Sequence, residues 1–132
     1  MSYDLFQEMV RERPKIHHGG SGPTCWRIKP QTAEFIYRNV NEKTKTLETG
    51  AGLSTLIFAL KKCSHVAITP MKNEISAIEE YARSKSVSLE HVTFINEPSE
   101  TYLPKAPFTD LRLVLIDGQH AFPWPISDWF YT

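Results

Sequence analysis

Between Lys45 and Ile116 the chain alternates short β-rich segments with stretches whose apolar residues recur at helical spacing. The strand-like segments are Lys45 to Glu48, His65 to Thr69 (HVAIT, stopped by Pro70), residues 91 to 96 (HVTFIN) and Leu111 to Ile116 (LRLVLI). The helical stripes are Ala33, Ile36, Tyr37 and Val40 after Pro30, then Leu56, Ala59, Leu60 and Cys63, then Ile75, Ile78 and Ala82, with Asn73 the expected N-cap. Apolar strands joined by crossover helices imply a parallel sheet covered on both faces, with right-handed crossovers. The pattern therefore predicts an α/β fold with a mostly parallel sheet between helical layers.

A length of 132 residues allows one such core and no second complete domain. The 41% hydrophobic and 23% charged content excludes wholesale disorder. Fifteen Lys and Arg balance fifteen Asp and Glu, so nothing drives non-specific binding to nucleic acid or a membrane surface, and neither is expected as a partner. No apolar run approaches the ~20 residues of a membrane span, and the N-terminal MSYDLFQEMVRERPK has no signal-peptide core. Cys25 and Cys63 fit no zinc spacing and are expected to be reduced, partly buried thiols of a cytoplasmic protein.

Residues 17 to 23 (HHGGSGP) read as a flexible break, which divides an N-terminal segment, 1–27, from a main domain, 28–132. His17 and His18 are expected in a mobile loop, because adjacent residues of a regular element point in different directions and make a poor metal pair.

In a parallel sheet, ligands bind beyond the carboxyl ends of the strands, at the switch in strand order. After the first strand the sequence reads Leu47-Glu48-Thr49-Gly50-Ala51-Gly52-Leu53-Ser54-Thr55. Gly50 and Gly52 let the backbone turn sharply and approach a ligand closely. Ser54 or Thr55 can cap the following helix, whose N-terminus favours negative or polar ligand atoms. Glu48 closes the strand and is expected to offer its carboxylate to a cationic ammonium.

E-T-G-A-G-L-S-T resembles the first motif of the class I S-adenosylmethionine-dependent methyltransferases, and Ile116-Asp117-Gly118-Gln119-His120 resembles the D-G-x-H signature of a subgroup that includes small-molecule O-methyltransferases. The two motifs together cover roughly residues 28 to 132. The resemblance implies a Rossmann-like three-layer sandwich whose first four strands lie in the order 3-2-1-4. It also implies transfer of a methyl group from S-adenosylmethionine to oxygen or nitrogen of a small-molecule acceptor. The cofactor-binding residues it implies are Glu48, Gly50, Ala51, Gly52, Ser54, Thr69, Asn96, Glu97 and Asp117, with Asp117 and His120 as catalytic residues. Asn96, Glu97 or Ser99 would border the adenine, and Trp26 would belong to a lid.

The chain departs from the family at Thr69-Pro70, where members carry an acid for the ribose hydroxyls. A hydroxyl lacks the charge-assisted strength of a carboxylate, so weaker cofactor binding is expected. Glu74 lies further along and is expected to be a solvated or helix-start acid, as is Asp128. Asp117 with His120 suits a general base or a divalent-metal site. Metal-dependent members use further carboxylates beyond the fifth strand, so no metal is expected. Trp124, Trp129, Phe130 and Tyr131 are expected either to line an acceptor pocket or to await covering elements. Four of the family's seven strands are accounted for, which leaves the fourth as an apolar edge. Truncation of a larger enzyme is expected, with a homo-oligomer across that edge as the other explanation. Two further readings stand: an inactive cofactor-binding or interaction module, and a nicotinamide-dependent oxidoreductase, the latter disfavoured by Thr55 where G-x-G-x-x-G would place glycine.

Overall fold

The computed structural model describes residues 2–19, 22–24, 28–105, 108–118 and 123–132. Helix α1 (Ser2–Glu12) leads into an antiparallel pair, β1 (His17–Gly19) and β2 (Gly22–Thr24), with His17 opposite Thr24. After α2 (Pro30–Asn39) come β3 (Lys45–Thr49), α3 (Leu53–Leu60), β4 (Ser64–Ile68), α4 (Lys72–Ser84) and β5 (Val92–Ile95). Short α5 (Ser99–Tyr102) and a 3-10 turn (Leu103–Lys105) precede β6 (Leu113–Ile116) and α6 (Trp124–Tyr131).

Strands β3 to β6 form one parallel sheet in the order β5-β4-β3-β6, which is the expected 3-2-1-4 arrangement counted from β3. Leu47, at the centre, stands opposite Val66 on one side and Val114 on the other. Alternation along the strands sends Ala67, Phe94 and Leu115 to one face, under α1 to α4, and Leu47, Ile68 and Val114 to the other, against the 3-10 turn. Helix α3 is buried from Leu53 through Ala59, with apolar residues all round, so it sits inside the molecule rather than on its surface. Burying Leu56, Ile57 and Phe58 contributes roughly 1.5–3 kcal/mol each, which anchors the turn that opens this helix.

Three local expectations are corrected. The stretch at 17–23 is not a break but carries both strands of the N-terminal hairpin, with its tip outside the described residues. Asn73 is not the N-cap of α4; the cap position is Met71, whose N–H donates to the Thr69 hydroxyl at 3.2 Å, so Thr69 closes the turn instead. Strand β6 begins at Leu113 rather than Leu111, because pairing with β3 starts at Thr46 opposite Leu113. Among the described residues no helix is long and apolar enough to cross a membrane.

Candidate functional site

The carboxyl ends of the central strands are stitched together around Gly50. Its N–H donates to the Ile68 carbonyl at 2.8 Å, and the Asp117 N–H donates to the Thr49 carbonyl at 3.0 Å. Gly50 has φ +87°, and a Cβ there would stand 2.5 Å from the Asp117 carbonyl oxygen, so both backbone and space demand glycine. Gly52 differs. Its φ of 173° is extended backbone open to any residue, but a Cβ would meet Cε1 of His17 at 2.9 Å.

Behind the turn lies a buried polar chain. Glu48 is 1% exposed, and its carboxylate accepts from Ser54 Oγ (2.5 Å), from Thr55 Oγ1 and from His65 Nε2 (3.1 Å). Thr55 Oγ1 in turn accepts the Gly52 N–H at 3.0 Å. His65 stacks on Phe58, and its Nδ1 meets Thr46 Oγ1 at 2.8 Å. A buried carboxylate is tolerable only when its oxygens are satisfied, and here three side-chain donors, two of them from the first turn of α3, satisfy them. Glu48 therefore braces the glycine turn from within and does not line the cavity; Ser54 and Thr55 both donate to it, and Thr55 also takes the N-cap N–H of Gly52.

The cavity, of about 670 Å³, opens at these strand ends, and Gly50, Ala51, Gly52, Ser54, Thr69 and Asp117 all line it. Asp117 is exposed there. Glu74, expected to be solvated, is 8% exposed and lines the cavity: Thr69 Oγ1 donates to its Oε1 at 3.0 Å, and His17 Nε2 lies 3.5 Å from its Oε2. It reaches back because α4 starts at Lys72, which turns its third residue toward the end of β4. An acid thus stands beside Thr69 after all, supplied from the helix rather than the strand.

Asn96 and Glu97 lie outside the wall. Asn96 Nδ2 donates to the Thr69 carbonyl at 3.1 Å, and Glu97 pairs with Lys105 at 2.8 Å on the surface. The next residues, Pro98, Ser99 and Glu100, line the cavity instead. Ser99 Oγ donates at 2.7 Å to Asp128, which is 1% exposed rather than solvated, with its second carboxylate oxygen unpartnered among the described residues. Trp129 and Phe130 are 71% and 73% exposed, and neither lines the cavity. His120, Trp26 and Cys25 lie outside the described residues. Cys63 is a free, buried thiol, and burial pushes its pKa up. Among the described residues no group of three or more His, Cys, Asp or Glu side chains is placed to hold a metal ion.

Among the titratable lining residues, the sequence reading did not assign His17, Glu74 or Glu100 to the site. The signal for Glu74 was its spacing of five from Thr69, one helical turn past Pro70. For His17 there was only the alternation of the hairpin, which a glycine-rich context obscured.

No protein-family profile and no curated protein matches the sequence. Among solved structures the chain is similar to cofactor-bound Rv0187 from MTB, with a TM-score of 0.60 and 15% identity over 89% of this chain and 53% of that one. The fold is Rossmann-like. This chain spans about half the length of that protein. It also aligns with coclaurine N-methyltransferase bound to N-methylheliamine and SAH, at TM-score 0.43 and 19% identity over 74% of this chain and 35% of that one, a likeness too partial to add to the fold.

Proposed function

We propose that this chain binds S-adenosylmethionine at the glycine turn and takes part in methyl transfer to oxygen or nitrogen of a small-molecule acceptor. The observation that carries this reading is the charge of the cavity. Glu74, Glu100 and Asp117 line it, and no Lys or Arg does among the described residues. Carboxylates without a cation favour a ligand bearing sulfonium and ammonium groups and oppose the pyrophosphate of a dinucleotide. The volume suits a ligand of nucleoside size.

In this reading Gly50, Ala51 and Gly52 let the cofactor lie against the backbone, and Thr69 with Glu74 accepts its ribose hydroxyls. The bound cofactor would supply an electrophilic methyl group. Asp117, at the end of β6, would orient the acceptor or take its proton, with His120 assigned to the same task. The balanced charge and the free Cys63 thiol support a cytoplasmic protein without nucleic-acid or membrane partners.

Calorimetric titration with S-adenosylhomocysteine (SAH) and, separately, NAD tests the reading. Saturable binding of SAH and none of NAD is expected, and the reverse preference would sink it. The position of β6 at the sheet edge among the described residues and the exposed Trp129 and Phe130 favour a second reading, a cofactor-binding module without turnover. Methyl transfer from labelled cofactor to any acceptor separates the two.

A further inference from the structure

His17 is placed where three elements meet. Its Nε2 lies 2.9 Å from the Ala51 carbonyl oxygen and 3.5 Å from Glu74 Oε2. A carbonyl and a carboxylate only accept, so Nε2 must carry the hydrogen. The same ring fills the space a side chain at Gly52 would need, with Cε1 at 2.9 Å and Nε2 at 3.2 Å from an ideal Cβ. Because Gly52 has extended backbone, its φ does not call for glycine; the imidazole does.

We propose that His17 is a positioning residue of the cavity: its Nε2–H latches the β1–β2 hairpin onto the glycine turn and steadies the Glu74 carboxylate for the ligand. The ring lines the cavity between the turn after β3 and the first turn of α4. The ligand's identity rests on the reading proposed above, whereas the latch itself does not.

The test uses the full chain and four variants: His17→Ala, His17→Gln, Gly52→Ala and the double variant Gly52→Ala/His17→Ala. SAH affinity is read by calorimetry. Loss of the donor to the Ala51 carbonyl, and of the ring beside the Glu74 carboxylate, should weaken binding ~tenfold in His17→Ala. His17→Gln, which keeps an N–H in reach, should stay within about threefold of the parent. Gly52→Ala should weaken binding strongly alone, yet add nothing in the double variant, because the methyl then occupies the vacated space. Equal loss in His17→Gln and His17→Ala, or multiplicative losses in the double variant, would overturn the latch. If the parent chain does not bind SAH, the methyl-donor reading fails, and the latch is read from thermal midpoints instead. Gly52→Ala should then lower the midpoint in the parent and not in His17→Ala, and additive shifts would refute it.

Discussion

Oε1 of Glu48 lies 3.1 Å from Nε2 of His65, and neither side chain reaches solvent. Both sit on the sheet face beneath α3, where water cannot compensate either one. Removing one partner leaves the other unpaired, so Glu48→Ala should cost about 3–5 kcal/mol of stability. Glu48→Gln keeps the shape but only one of the two accepting oxygens, which Ser54 and Thr55 use separately, and should cost about 1–2 kcal/mol. Urea midpoints read both, and a loss below ~1 kcal/mol for Glu48→Ala would contradict the bracing role. Since the carboxylate faces away from the cavity, folded Glu48→Gln should bind SAH within a few-fold of the parent.

Gly50 and Gly118 touch the same strand ends with different stringency. A methyl at Gly50 meets the Asp117 backbone at 2.5 Å in a left-handed conformation, while at Gly118 it meets the Thr49 hydroxyl at 3.3 Å. Gly50→Ala should therefore cost on the order of 3 kcal/mol, from backbone strain and overpacking together. Gly118→Ala should cost about 1 kcal/mol or less, because a side-chain hydroxyl can move a few tenths of an ångström. Thermal unfolding of the two variants side by side decides the ranking, and equal losses would contradict it.

The fold was legible because β-rich segments such as His65–Thr69, stopped by Pro70, alternate with 3.6-residue apolar stripes on α2 and α4 that report burial. The glycine turn was legible because Gly50 needs a positive φ. What the sequence hid was direction. Glu48 and Glu74 are both carboxylates near strand ends, and nothing local says that one turns inward to His65 while the other turns toward Thr69. That choice depends on where α3 and α4 begin, within a residue, and on a His17 that approaches from a distant hairpin. Asp128 likewise looked solvated because its burial comes from α5, not from its own helix.

Helix α1 is tied to α4 by Lys85, whose ammonium lies 2.6 Å from Glu8 and 2.7 Å from Glu12, and by Tyr81, whose hydroxyl donates to Glu12 at 2.5 Å. The Lys85 ammonium, with the Tyr81 hydroxyl, holds the Glu12 carboxyl below its ordinary 4.5. A carboxyl lowered in the folded state stabilises above its unfolded pKa and loses that contribution as pH falls through the lowered value. The Glu8 and Glu12 carboxylates raise the Lys85 pKa above 10.5, so its share is complete below that pH and fades above the raised value. Hydrogen exchange in α1 should accelerate relative to α3 below about pH 4.5. Lys85→Met should remove most of that acid dependence, and an α1 equally protected at pH 3 and pH 6 would count against the tie.

Ile126, Trp129 and Phe130 stand on α6, at 58%, 71% and 73% exposure, and β6 is an edge strand of the sheet among the described residues. Apolar surface next to open strand hydrogen bonds is an adhesive combination. Self-association rising with concentration is expected, and Trp129→Ser with Phe130→Ser should reduce it. Sedimentation velocity across a hundredfold concentration range measures this; one unchanging monomer peak would remove the edge from the list of contacts.

Asp117 separates binding from chemistry. Its N–H donates to the Thr49 carbonyl and its side chain is exposed at the cavity, so Asp117→Ala should cost about 1 kcal/mol of stability or less. SAH affinity should fall little, because Thr69, Glu74 and the glycine turn remain. Any methyl transfer should drop ~100-fold or more if Asp117 takes the acceptor's proton. Asp117→Asn refines the assignment: the amide keeps the shape but accepts no proton, so it should be as slow as alanine for a base and close to the parent for a purely orienting contact. Turnover of Asp117→Ala equal to that of the parent would show that the acceptor's proton leaves by another route.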